Sequence, residues 1–134
     1  MKYPIKPCAK PRMTRADKWK KRPAVVKYWA FKDLCNYSGV KFNNGDGVIF
    51  RVEMPESWTL SDKRKRNGRP HTQRPDSDNF LKGLMDAVCE EDSHLWCPIA
   101  VKVWADESSI EVLPMIEVAM FAWRLGEFGT VTEK

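Results

Sequence analysis

The stretch from Ser77 to Cys89 constrains the fold of this chain most. Leu81, Leu84, Met85 and Val88 recur at i, i+3, i+4, i+7, which places them on one face of a helix. Ser77 or Asp78 stands where a side chain can cap the first turn, and Glu90-Glu91-Asp92-Ser93 ends the pattern. An earlier helix is predicted from Pro23, a residue suited to a first turn. Its stripe is Ala24, Tyr28, Phe31 and Cys35, widened by Val25 and Leu34, and Asn36 to Gly39 stops it. The turn-forming run Asn43-Asn44-Gly45-Asp46-Gly47 follows.

Elsewhere the period changes to two. Phe50, Val52 and Met54 alternate with Ile49, Arg51 and Glu53, and Val101 and Val103 alternate with Lys102 and Trp104. Ile110 to Leu113 and Met115 to Phe121 read as further strand, interrupted by Pro114. The expected fold class is α+β, a small mixed β-sheet with helices packed on one face, forming one domain over residues 1–134. Residues 126–134 read as a tail.

Charge is distributed unevenly. Residues 1–74 hold 19 Lys/Arg against 6 Asp/Glu, and residues 75–134 hold 4 against 12, so net charges of +13 and −8 sit behind the overall +5. The first part is suited to neutralising phosphates and the second to holding cations. The bases fall in two blocks. Residues 1–22 carry Pro4, Pro7 and Pro11 together with Lys10, Arg12 and Arg15, and read as an extended basic arm. Residues 55–74 carry Lys63, Arg64, Lys65, Arg66, Arg69 and Arg74, and read as a mobile, solvent-facing loop. Both blocks are expected to contact DNA phosphates, with Trp58 beside the second block a candidate for stacking on an unpaired base.

Cys8, Cys35, Cys89 and Cys97 show no CxxC spacing, and Cys89, His94 and Cys97, with Cys8 or His71, match no familiar zinc knuckle. Idle or buried thiols are the expectation. No apolar run approaches the length of a membrane span, and no signal-peptide core opens the chain. A cytoplasmic location is expected.

Chemistry concentrates around the helix at 77–89. At about 100° per residue, Asp78, Lys82 and Asp86 form a stripe beside the apolar face, with Asn79 near it. Asp76 precedes the helix on a segment biased by Pro75, and Asp92 follows its end. Carboxylates that converge this way repel one another unless a divalent cation binds them, and Mg²⁺ takes one or two carboxylates plus water and phosphate. Such a site suits phosphodiester hydrolysis, with Lys82 stabilising negative charge. A helix cap with an i, i+4 salt bridge also accounts for Asp78, Lys82 and Asp86. It leaves out Asp76 and the basic loop that leads into it.

The run Pro75-Asp76-Ser77-Asp78-Asn79-Phe80-Leu81-Lys82, then Met85-Asp86-Ala87-Val88 and Glu91-Asp92, resembles the signature of the RusA family of Holliday junction resolvases. Lys10-Pro11-Arg12-Met13-Thr14-Arg15 is similar to that family's opening, and Val52-Glu53-Met54-Pro55 falls at its strand before the loop. The resemblance covers roughly residues 7–105. It implies a RusA-like, homodimeric, Mg²⁺-dependent endonuclease (Mn²⁺ substituting) of bacterial or prophage type. Such an enzyme acts at the nucleoid, making paired nicks in four-way junctions during DNA recombination and repair. Position by position, it implies metal binding by Asp76, Asp78 and Asp92, a catalytic Lys82, and supporting roles for Asn79, Asp86 and Glu91. Three alternatives stay open: a catalytically degenerate junction-binding accessory protein, a general Mg²⁺-dependent DNase, and a metal enzyme acting on nucleotides or phosphosugars.

Overall fold

In a computed structural model, residues 1–12, 14–15 and 22–127 are described, with the side chains of Asp92 and Glu127 left aside. Eight elements follow in order: β1 (Lys2–Tyr3), α1 (Pro23–Tyr37), β2 (Asp46–Glu53), α2 (Leu60–Arg66), α3 (Ser77–Val88), β3 (Ile99–Ala105), β4 (Ser109–Pro114) and α4 (Met115–Glu127). A 3-10 turn, Asp92–His94, lies between α3 and β3. The sheet order is β1-β4-β2-β3. β2 runs parallel to β3 and antiparallel to β4, which pairs antiparallel with β1. The α+β class and the mixed sheet are those predicted. No helix among the described residues is long and apolar enough to cross a membrane.

β2 is an inner strand with helices packed on both of its faces, and its apolar run is nearly continuous. Val48 and Phe50 point to one side. There, with Ile110 and Val112 of β4, they meet Tyr28, Phe31 and Cys35 of α1 and Phe80, Leu81 and Leu84 of α3. Ile49 points to the other side and packs with Val103 and Val118.

That second cluster corrects the expectation that helices occupy one face. Residues 115–121 form the start of α4, not a strand, and α4 covers the opposite face through Val118, Phe121 and Leu125. Those three recur at i, i+3, i+7, a helical interval that a run rich in Ile, Val and Phe disguises as strand. α4 also continues through Gly126 to Glu127, so the first two residues of the expected tail are helical instead, and residues 128–134 lie outside the described ones.

The N-terminal block is not a free arm where it is described. Lys2 and Tyr3 pair with Glu111 and Ile110, Tyr3 and Ile5 are buried in the core, and the chain then crosses α3. Gly83 is what permits the crossing, because a methyl group there would overlap the Cys8 carbonyl oxygen. Lys18, Lys20 and Lys21 lie outside the described residues. α1 begins at Pro23 as predicted, but its buried stripe is Val25, Tyr28, Phe31 and Cys35, whereas Ala24 and Leu34 face solvent.

The 55–74 segment is likewise ordered. Thr59 caps α2 by accepting from the Asp62 amide at 3.2 Å, and Lys63 to Arg66 fill its last turn, where cations suit the helix dipole. Beyond α2 the backbone pairs along the outer edge of β3. Gly68 N–H donates to Trp104 O (2.8 Å), Trp104 N–H to Arg69 O (3.0 Å) and His71 N–H to Lys102 O (3.1 Å). An aromatic stack reinforces this edge. The Arg66 guanidinium lies 4.7 Å from the Trp58 ring centre, Trp58 meets Trp104 edge-on, and Trp104 stacks on His71 at 3.8 Å.

Candidate active site

The helix α3 is anchored by its apolar face and presents its N-terminus to solvent. Asp76 is the N-cap residue, with extended backbone angles, and its carbonyl accepts from Asn79 N–H (3.1 Å) and Phe80 N–H (3.3 Å). Neither Ser77 nor Asp78 takes the cap position, and the Asp76 carboxylate makes no capping hydrogen bond. A cleft of about 450 Å³ opens beside it, lined by Arg74, Pro75, Asp76 and Asn79. Asp78 follows in the first turn. Its carboxylate lies 3.7 Å from Lys82 Nζ, with both side chains more than half exposed (64% and 59%). An exposed pair of this kind adds little to stability, so both groups remain accessible to a ligand.

The chain leading into this turn is held from β3. Lys102 Nζ donates to Pro75 O at 2.6 Å and also to Gln73 O, while Gln73 N–H donates to His71 Nδ1 at 3.2 Å. Lys102 reads in the sequence as an ordinary outward residue of an alternating strand, and nothing in the local pattern marks it.

Asp86 sits two turns along α3 and faces elsewhere. It accepts a hydrogen bond from the Tyr28 hydroxyl and pairs with Lys32 (3.3 Å) and Lys10 (3.7 Å), joining α1, α3 and the N-terminal segment. Burial pushes its carboxyl upward, but the Tyr28 and Lys32 hydrogen bonds and the charges of Lys32 and Lys10 outweigh it and hold the carboxyl below its ordinary value. Burial and then the Asp86 bond push the Tyr28 hydroxyl above its own. A depressed carboxyl stabilises the fold above the unfolded Asp value, and that contribution is lost as pH falls through the folded one. Asp86→Asn should therefore melt below wild type at pH 7, and the gap should narrow below about pH 4. A constant gap from pH 7 to pH 3 in thermal melts would contradict this assignment.

The remaining candidates are placed as follows. Asn79 lines the cleft, and its carbonyl accepts from Lys10 N–H at 3.4 Å. Glu91 pairs with His94 at 3.4 Å beside a different cleft, lined by Phe42, Asn44 and Leu95 among others. Asp92 opens the 3-10 turn. Among the described residues no group of three or more His, Cys, Asp or Glu gathers as a metal cage, and all four cysteines are free thiols. Of the basic candidates, Arg74 is on the lip of the Asp76 cleft, Arg12, Arg15, Arg64 and Lys65 are exposed, and Lys63, Arg66 and Arg69 are partly covered. Trp58 is held between Arg66 and Trp104.

A comparison with protein families matches residues 45–113 to the family described as Endodeoxyribonuclease RusA. No curated protein and no solved structure matches the chain. The matched segment runs from β2 through α3 to β4 and so contains the strand floor, the Asp76–Asp78 turn and Lys82. Since it takes in just over half of the 134 residues, the chain belongs to the RusA family of endodeoxyribonucleases.

Proposed function

We propose that this protein is a Mg²⁺-dependent endonuclease that resolves four-way DNA junctions by paired nicks, acting as a homodimer in recombination and repair in the cytoplasm. The observation that carries the reading is the N-terminal turn of α3. There Asp76 has no capping bond, Asp78 is open to solvent, and Lys82 stands one turn on.

The donor set fits the metal: hard carboxylate oxygens beside an open cleft with room for water and a phosphate. Asp76 and Asp78 would hold it together with Asp92, and Mn²⁺ would substitute. When bound, a divalent cation polarises the scissile phosphate and activates water.

The chain's own residues do the rest. Lys82 puts a fixed positive charge beside Asp78, where it meets negative charge building on the phosphate oxygens. Arg74 on the cleft lip takes a neighbouring phosphate in bidentate fashion and sets the register of the strand. Lys10, Arg12 and Arg15, with the α2 bases and Arg69, neutralise phosphates further along the arms, which makes binding salt-sensitive. Two symmetric copies would set one site on each of two opposed strands.

A labelled four-way junction and a linear duplex, each with Mg²⁺ or EDTA, test the reading. Symmetric nicks in the junction with Mg²⁺ alone are expected. Equal cutting of both substrates would instead mark a general DNase, and binding without cutting an accessory protein.

A further inference from the structure

On the face of the sheet that α1 and α3 cover, β3 carries one lysine. Lys102 lies opposite Phe50 in the parallel β2–β3 register, on the side that α3 covers. Its ammonium donates to the carbonyls of Gln73 and Pro75, and its own carbonyl accepts from His71 N–H. A single residue thus ties down the segment 71–75 by side chain and main chain together. Pro75 immediately precedes Asp76. With no capping bond of its own, the Asp76 carboxylate takes its position from the backbone on either side. On one side that backbone is α3, held by the core, and on the other it is the segment bound to Lys102.

We propose that Lys102 is a positioning residue for the metal site, fixing Asp76 relative to Asp78. The proposal rests on the metal-dependent reading above. Positioning and simple charge predict opposite signs. If Lys102 acted only as a nearby cation it would oppose a second one, and neutralising it would tighten metal binding. If it positions the carboxylate, neutralising it loosens the pair and weakens metal binding, on the scale of other outer-shell partners.

The test is Mn²⁺ binding to the full chain without DNA, followed by electron paramagnetic resonance titration. The proteins compared are wild type, Lys102→Met and Lys102→Arg. Lys102→Met is expected to bind roughly tenfold or more weakly, with Lys102→Arg recovering most of the loss. In cleavage assays the Lys102→Met defect should appear as a higher Mg²⁺ requirement and a lower kcat, at unchanged KM for the junction. Melting temperature and metal-free junction binding should stay near wild type. Should Lys102→Met not fold, Lys102→Gln carries the same expectation, since it removes the charge at similar bulk. Unchanged or tighter Mn²⁺ binding in the neutral variant overturns the proposal alone. A wild-type protein that neither binds Mn²⁺ nor cuts the junction overturns the functional reading, and the proposal with it.

Discussion

Asp78→Asn is expected to abolish junction cleavage, by roughly 10³-fold or more, or about 4 kcal/mol of transition-state stabilisation. Folding and junction binding should persist. The substitution removes a charge but hardly any volume, and it falls at an exposed position in the first turn of α3. The 3.7 Å pair with Lys82 that it breaks is open to solvent, so stability should change by well under 1 kcal/mol. One negative charge fewer facing DNA should leave affinity unchanged or slightly increased. Single-turnover cleavage of a labelled junction, beside gel-shift binding in EDTA, separates the two effects. Normal cutting by this variant would mean that the metal site lies elsewhere.

Phe50→Ala should give the largest loss of stability, about 3–5 kcal/mol. Phe50 is fully buried on the inner strand β2 and lies 5.4 Å from the Phe80 ring. Removing it opens a cavity beneath α3 that neighbours on a central strand have little freedom to fill. Such a loss is a large fraction of what a domain of this size has in total. Urea unfolding should show the midpoint falling with the slope unchanged. Phe80 follows Asp78 and Asn79 directly in the chain, so cleavage should weaken even at temperatures where the variant is folded. A midpoint matching wild type would show that this aromatic contact is not central to the core.

What the sequence made legible is what is local in it. The α3 stripe and the Asp76, Asp78 and Lys82 spacing lie within a few residues of one another, and helical geometry converts such spacing into neighbourhood. β2 was legible because its alternation is anchored by a turn just before it. α4 was not, since Ile116, Val118 and Phe121 favour strand by composition, and only burial against Ile49 and Val103 decides the period. The partners of Asp86 were hidden for another reason. Tyr28 is 58 residues away in the chain, and no one-dimensional pattern links them. Lys102 was hidden by its ordinary setting, because an alternating strand offers no sign that a polar side chain will fold back onto a loop. In the 55–74 segment charge masked the structure, and the tryptophans that hold it to β3 carry no periodic signal.

The backbone running along β3 has a consequence for assembly. A strand at the margin of a sheet ordinarily offers a row of open amides and carbonyls to any other chain. Here residues 68–71 already take up part of that row on β3. At the opposite margin, Met1 to Tyr3 lie along β4, where Val112 exchanges hydrogen bonds with the first residue. The outer edge of β3 is therefore closed in part from within the same molecule, and the opposite end of the sheet is the two-residue strand β1, too short to template much pairing. That partial closure leaves little open edge for another chain to extend, and so guards the protein against edge-to-edge aggregation.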